Sequence, residues 1–89
     1  MSANEIPVTD TDTAKAVAQQ IEAMFPNTGS VLLLTGTNLS YNTAMKAVAI
    51  ATPWLAMLGV HLACETFFQN NQGRYADRTD LKVLVTNRP

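Results

Sequence analysis

The side chains of this chain that could do chemistry are few, and most of the basic ones lie near its end. Arg74, Arg78, Lys82 and Arg88 are four of the six Lys and Arg residues, with Tyr75 between the first two. Cationic groups neutralise phosphates, and a tyrosine ring among them can stack on an unpaired base. The cluster is therefore a candidate contact for single-stranded nucleic acid. The alternative is a solvated loop in which Arg74 and Arg78 pair with Asp77 and Asp80, because a charge cluster is a weak signal by itself.

Nothing comparable points to catalysis. His61 is the sole histidine; it sits in an apolar stretch and reads as a structural or interface residue. Cys64 is the sole cysteine; no cationic neighbour in sequence activates it, and it reads as core. One His and one Cys make no zinc site. Asp10 and Asp12 are better explained as helix caps than as metal ligands. The turn-forming run Thr35-Gly36-Thr37-Asn38 offers free backbone N–H groups where a phosphate could be held. It contains no Lys or Arg and lacks the spacing of a P-loop or a dinucleotide fingerprint. The expectation is a protein that is not an enzyme and uses no cofactor or metal.

The elements that must position these residues follow from hydrophobic period. Glu5 to Thr9 alternates and reads as a short, edge-like strand, since Pro7 cannot donate a ladder hydrogen bond. A helix follows from Thr13 to about Met24, capped by Asp10 or Asp12, with Ala14, Val17, Ala18, Ile21 and Phe25 on one face and Pro26 to Gly29 ending it. Val31 to Leu34 is four consecutive apolar residues, the pattern of a strand buried on both faces. From Tyr41 the apolar residues recur at i, i+3, i+4 and i+7, which predicts a helix to about Met57, kinked or restarted at Pro53 and stopped by Gly59. Val60 to Phe68 reads as a strand with Val60, Leu62, Cys64, Thr66 and Phe68 on one side. A polar hairpin loop over 70–78 and a last strand from Leu81 to Thr86 complete the order β-α-β-α-β-β. That order predicts an α/β fold of the α+β two-layer kind: a four-stranded mixed sheet with two helices on one face.

Length and composition bound the rest. At 89 residues the chain makes one small domain, preceded by a loose tail over residues 1–4. It is 47% hydrophobic and only 15% charged, so either the surface is partly apolar or a partner covers some of it. The net charge of −1 argues against a stand-alone nucleic-acid binder. A single cysteine excludes an intrachain disulfide and fits a reducing, intracellular compartment. No basic region followed by an apolar run opens the chain, so no secretory signal is expected. The apolar run from Ala47 to Ala63 is interrupted by Pro53 and Gly59, which argues against a membrane span.

Several phrases resemble the Alba superfamily of small nucleic-acid-binding proteins. Asn4-Glu5-Ile6-Pro7-Val8-Thr9 is similar to the opening strand of eukaryotic members. Leu34 to Asn42, LTGTNLSYN, resembles the strand-loop-helix turn of the Alba-like subunits of RNase P and RNase MRP. Ala44, Met45 and Val48 follow at the small and apolar helix positions. Thr66, Gly73-Arg74 and Leu81 to Val85 resemble the final hairpin. The resemblance implies an Alba-like fold and a non-catalytic, RNA-binding subunit of a ribonucleoprotein. It implies contacts to RNA, or DNA, through Arg74, Arg78, Tyr75 and Lys82, with Lys46, Lys15, Asn38 and Asn42 as further candidates. The chain departs from the family where Asp12-Thr13 stands for Gly-Lys, where Thr35, Thr37 and Leu39 replace basic residues, and where Asn38 takes the place of a loop glycine.

Alba-like chains pair through their last strands and second helix, and here that region is apolar, with Trp54, Leu58, Leu62, Phe67 and Phe68 the expected interface. A heterodimer with a basic Alba-like chain is favoured on charge, a homodimer being the alternative. Two rival readings remain: an interaction module of the same fold that has lost nucleic-acid binding, and an enzyme or small-ligand domain of similar topology.

Overall fold

The computed structural model describes residues 4–70 and 79–88. Its elements are β1 (Glu5–Val8), α1 (Ala14–Thr28), β2 (Ser30–Thr35), α2 (Asn38–Ala56), β3 (Leu62–Asn70) and β4 (Thr79–Asn87). The four strands form one mixed sheet in the order β1-β2-β4-β3. β1 runs parallel to β2, while β4 is antiparallel to both β2 and β3. Both helices lie on one face, and the fold is the two-layer sandwich expected from the period changes. No helix among the described residues is long and apolar enough to cross a membrane.

The core forms where the helices meet the sheet. From α1 come Val17, Ala18, Ile21 and Phe25, and from α2 come Ala44, Ala47, Val48, Ala51 and Leu55. The sheet contributes Ile6, Val8, Val31, Leu33, Val83 and Val85. β2 differs from the doubly buried strand its apolar run suggests: Val31, Leu33 and Thr35 are buried, whereas Leu32 and Leu34 are half-buried. The two-layer architecture explains this, because no second helical layer covers the other face of the sheet. β1 is an edge, as expected, with Pro7 exposed and in register with Leu34.

Both helices are longer than periodicity suggests. The N-cap of α1 is Thr13, whose Oγ1 accepts the Ala16 N–H at 3.2 Å. Asp12 instead accepts the Thr9 N–H at 2.8 Å and closes the preceding turn. Pro26 lies inside the last turn of α1, on its exposed side, where water can satisfy the carbonyl that loses its donor. Gly29, at φ 73°, then ends the helix by donating its N–H to the Phe25 carbonyl at 2.8 Å.

α2 starts three residues before the expected Tyr41 and runs without a restart through Pro53. The Val48 carbonyl, one turn earlier, also accepts the Thr52 hydroxyl at 2.7 Å. Beyond the helix, Gly59 at φ 83° makes the reversal. Its N–H donates to the Ala56 carbonyl and the Val60 N–H to the Leu55 carbonyl, both at 3.0 Å, the paired bonds of a Schellman stop.

Cys64 is a further correction: it is exposed, not core. The register puts Leu62, Cys64, Thr66 and Phe68 on the helix side of β3, opposite Asn87, Val85, Val83 and Leu81. The helices nevertheless reach β3 only at its start, where Leu62 packs against the core. Cys64, Thr66 and Phe68 therefore face solvent on the layer that elsewhere is core.

Candidate nucleic-acid interface

Each candidate contact residue is held by a different element. Arg74, Tyr75 and Arg78 lie outside the described residues; the β3–β4 ladder leads to them. That ladder is continuous, from Leu62 opposite Asn87 to Asn70 opposite Thr79. β2 stops at Thr35, opposite Leu81, so the last two pairs of the ladder extend beyond it. Lys82 is half-buried on the sheet face away from the helices, directly across from Phe67. Arg88 is exposed just after β4, and its backbone N–H donates to the His61 carbonyl at 2.6 Å. His61 itself is exposed and precedes β3.

The other candidates sit in the helical layer. Asn38, Asn42 and Lys46 follow one another at i, i+4 and i+8 and form an exposed line along α2. Lys15 is exposed in the first turn of α1. The structure thus aligns three of the candidates on one helix, places Lys15 on the other, and leaves Lys82 on the opposite face of the sheet. Asn38 is helical, and no residue other than glycine has positive φ among the described ones. The left-handed loop position that the family resemblance suggests for it is therefore absent.

The turn before α2 is committed to its own cap. Thr37 Oγ1 accepts the Ser40 N–H at 3.0 Å, while Ser40 Oγ accepts the N–H groups of Gly36 (3.2 Å) and Thr37 (3.1 Å). The cap thus uses the Gly36 and Thr37 N–H groups, two of those expected to be open to a phosphate. The Thr37 hydroxyl in turn donates to Oδ1 of Asp10. A carboxylate thus stands at the positive end of the α2 dipole and repels a second anion there. The recess between this turn and Leu81 is about 60 Å³ and has no room for a nucleotide. Sequence reasoning missed Ser40, although Thr37-x-x-Ser40 is a capping signature; its side chain is only 1% exposed.

The apolar residues expected at a chain-to-chain interface divide into two groups. Trp54 and Leu62 are half-buried against the chain's own core. Leu58, Phe67 and Phe68 are exposed, as are Met57 and Leu39. Leu39 was not anticipated; once the helix starts at Asn38, its phase places it away from the buried Ser40–Ala44–Val48 line. Phe67 and Phe68 point to opposite faces of the sheet, since one opposes Lys82 and the other Leu81.

Two open hollows accompany these surfaces. One, of about 340 Å³, is lined by Glu22, Trp54, Met57 and Leu58, and the other, of about 490 Å³, by Gln20, Ala23, Met24, Asn27 and Thr28. Neither joins a nucleophile to a base. Among the described residues no three His, Cys, Asp or Glu side chains converge on a point that could hold a metal ion. In comparisons with known proteins, no family model and no curated protein matches the chain.

Proposed function

We propose that this chain is a non-catalytic, Alba-like nucleic-acid-binding protein, an RNA-binding subunit of a ribonucleoprotein that works inside the cell as one of a pair of Alba-like chains. The observation that carries the reading is the β3–β4 ladder, which continues two residue pairs past β2 and leads into the segment bearing Arg74, Tyr75 and Arg78. Basic side chains on such an arm reach phosphates while the ring between them stacks on a base. The exposed Asn38–Asn42–Lys46 line offers a second, weaker track. Charge favours a basic chain as the other member of the pair, and two copies of this chain are the alternative.

A specific observation favours the interaction-module reading as well. Asp10 and the self-satisfied cap of α2 make the second loop hostile to phosphate, which leaves nucleic-acid contact to Arg74, Tyr75 and Arg78 and the weaker Asn38–Asn42–Lys46 line. Filter binding to a single-stranded RNA over a salt series separates the two. The parent should bind with a salt-dependent affinity. Arg74→Ala with Arg78→Ala should weaken binding and lower the salt slope by up to about two counterions. Thermal stability should move by less than about 0.5 kcal/mol, as for other surface charges. A parent whose weak binding does not respond to salt supports the interaction module instead.

A further inference from the structure

The sheet has a second face, and its central strands are not composed to meet water. A sheet covered on one side alone alternates apolar with polar residues along each strand. Here β2 reads Val31-Leu32-Leu33-Leu34 and β4 reads Leu81-Lys82-Val83-Leu84-Val85. Val31, Leu33, Val83 and Val85 fill the core, while Leu32, Leu34 and Leu84 are half-buried on the side away from the helices. The register sorts that side into rows. Glu5 stands beside Leu32, Leu32 beside Leu84, and Leu84 beside Glu65. The next row is Pro7, Leu34, Lys82 and Phe67. Leucines thus hold the middle of the face, and a carboxylate stands at each border of the first row.

We propose that this face is covered by an amphipathic helix of a basic protein partner. The helix lies along β2 and β4, with its apolar stripe on Leu32, Leu34 and Leu84 and its Lys or Arg side chains beside Glu5 and Glu65. The inference goes beyond the pairing proposed above, which engages α2 and β3, and is independent of RNA binding.

Geometry and charge select the occupant. Neighbouring strands lie about 4.8 Å apart, so Glu5 and Glu65, three strand spacings apart, are separated by about 14 Å. A helix with its side chains is about 10–12 Å across and fits between them, with one carboxylate along each flank. Cations on those flanks complement the borders, and the apolar stripe takes the leucines out of water. Lys82, half-buried beside Leu34 and Phe67, adds its aliphatic stem to the contact and keeps its ammonium at the surface. The chain's own remaining residues do not supply such a layer: 1–3, 71–78 and 89 include only Met1 and Tyr75 as large apolar or aromatic side chains. A second copy packed face to face would bury the carboxylates of Glu5 and Glu65 in excess over the ammonium groups of Lys82, a costly arrangement away from water. The same two carboxylates oppose a phosphate backbone.

A synthetic helix of about 18 residues, about 27 Å long, with leucines along one stripe and lysines on both flanks, is the probe. Its twin carries glutamates on the flanks. In methyl NMR of the full chain, the lysine-flanked helix should shift the signals of Leu32, Leu34 and Leu84 and leave those of Leu39, Met57 and Leu58 in place. It should bind about tenfold more tightly than its twin. Glu65→Lys, at an exposed position, should keep the parent's Tm, weaken the lysine-flanked helix about fivefold and improve binding of the twin. Leu84→Lys should weaken binding by about tenfold or more. Equal affinity for the two helices, shifts centred on Met57 and Leu58, or binding of neither helix overturns the proposal. So does a shift of the same three leucines on concentrating the chain alone, which seats a second copy there, or on adding single-stranded RNA, which makes the face a nucleic-acid platform. A chain that takes the lysine-flanked helix and no RNA keeps this inference and loses the nucleic-acid reading; one that takes RNA elsewhere and no helix does the reverse.

Discussion

Ser40 illustrates how much one buried hydroxyl can hold. Its oxygen accepts two backbone N–H groups of the turn and its proton goes to the Thr37 carbonyl at 3.1 Å, while the side chain itself is closed to water. Ser40→Ala leaves those N–H donors without a partner and should cost about 2 kcal/mol, a fall in Tm of roughly 10 °C for a domain of this size. Circular dichroism on heating measures it, and RNA affinity below the transition should not change, because no phosphate is expected at that turn. Val48 provides the harsher case. It lies in the core beneath α2, so Val48→Asp buries an unpaired carboxylate, costs several kcal/mol, and should leave the chain unfolded by the same measurement. If that variant melts like the parent, the buried face of α2 is wrongly assigned.

At the scale of elements, the two helix-internal prolines define what each helix tolerates. Pro53 is exposed in the last turn and a half of α2, and it removes the N–H that would reach the Ala49 carbonyl. Restoring that donor with Pro53→Ala should stabilise the protein by about 1 kcal/mol or more, read as a higher denaturant midpoint at unchanged slope. A midpoint that falls would mean that the fixed φ of Pro53 stabilises the end of α2 by more than the lost hydrogen bond costs. These prolines also mark where the sequence was hard to read. The order of elements, the helix faces and the alternation of β3 are legible because each follows from a period of 2 or 3.6. The end of α1 is not, since Pro26 normally signals a stop and is tolerated here only because it falls on the wet side of the final turn. The start of α2 was legible in principle through Thr37 and Ser40. The exposure of Cys64 was not: alternation assigns it to the helix side, but the lateral position of the helices, which cover only the start of β3, is a tertiary fact. For the candidate interface the line from Asn38 to Lys46 follows from spacing, whereas the carboxylate of Asp10 at the α2 terminus needs two distant loops to meet.

For the molecule as a whole, a low charge and a high apolar content are consistent with a surface meant to be partly covered. The exposed Met57, at 85%, and Phe68 are the clearest excess. If two copies share the β3 edge, stability becomes a function of concentration by mass action. Tm should rise measurably over a hundredfold increase in protein concentration, and a Tm independent of concentration would contradict a folded-state dimer in equilibrium with unfolded chains. The far side of the sheet limits how such an assembly can grow. β1 has only four residues, and Pro7 within it has no N–H to offer an incoming strand. Joining at β3 therefore uses up the one receptive border of each chain and leaves a proline-bearing border at both outer ends. Propagation stops at two: the same fold with Pro7 replaced by a donor such as Val would have two receptive borders and a route to open-ended filaments.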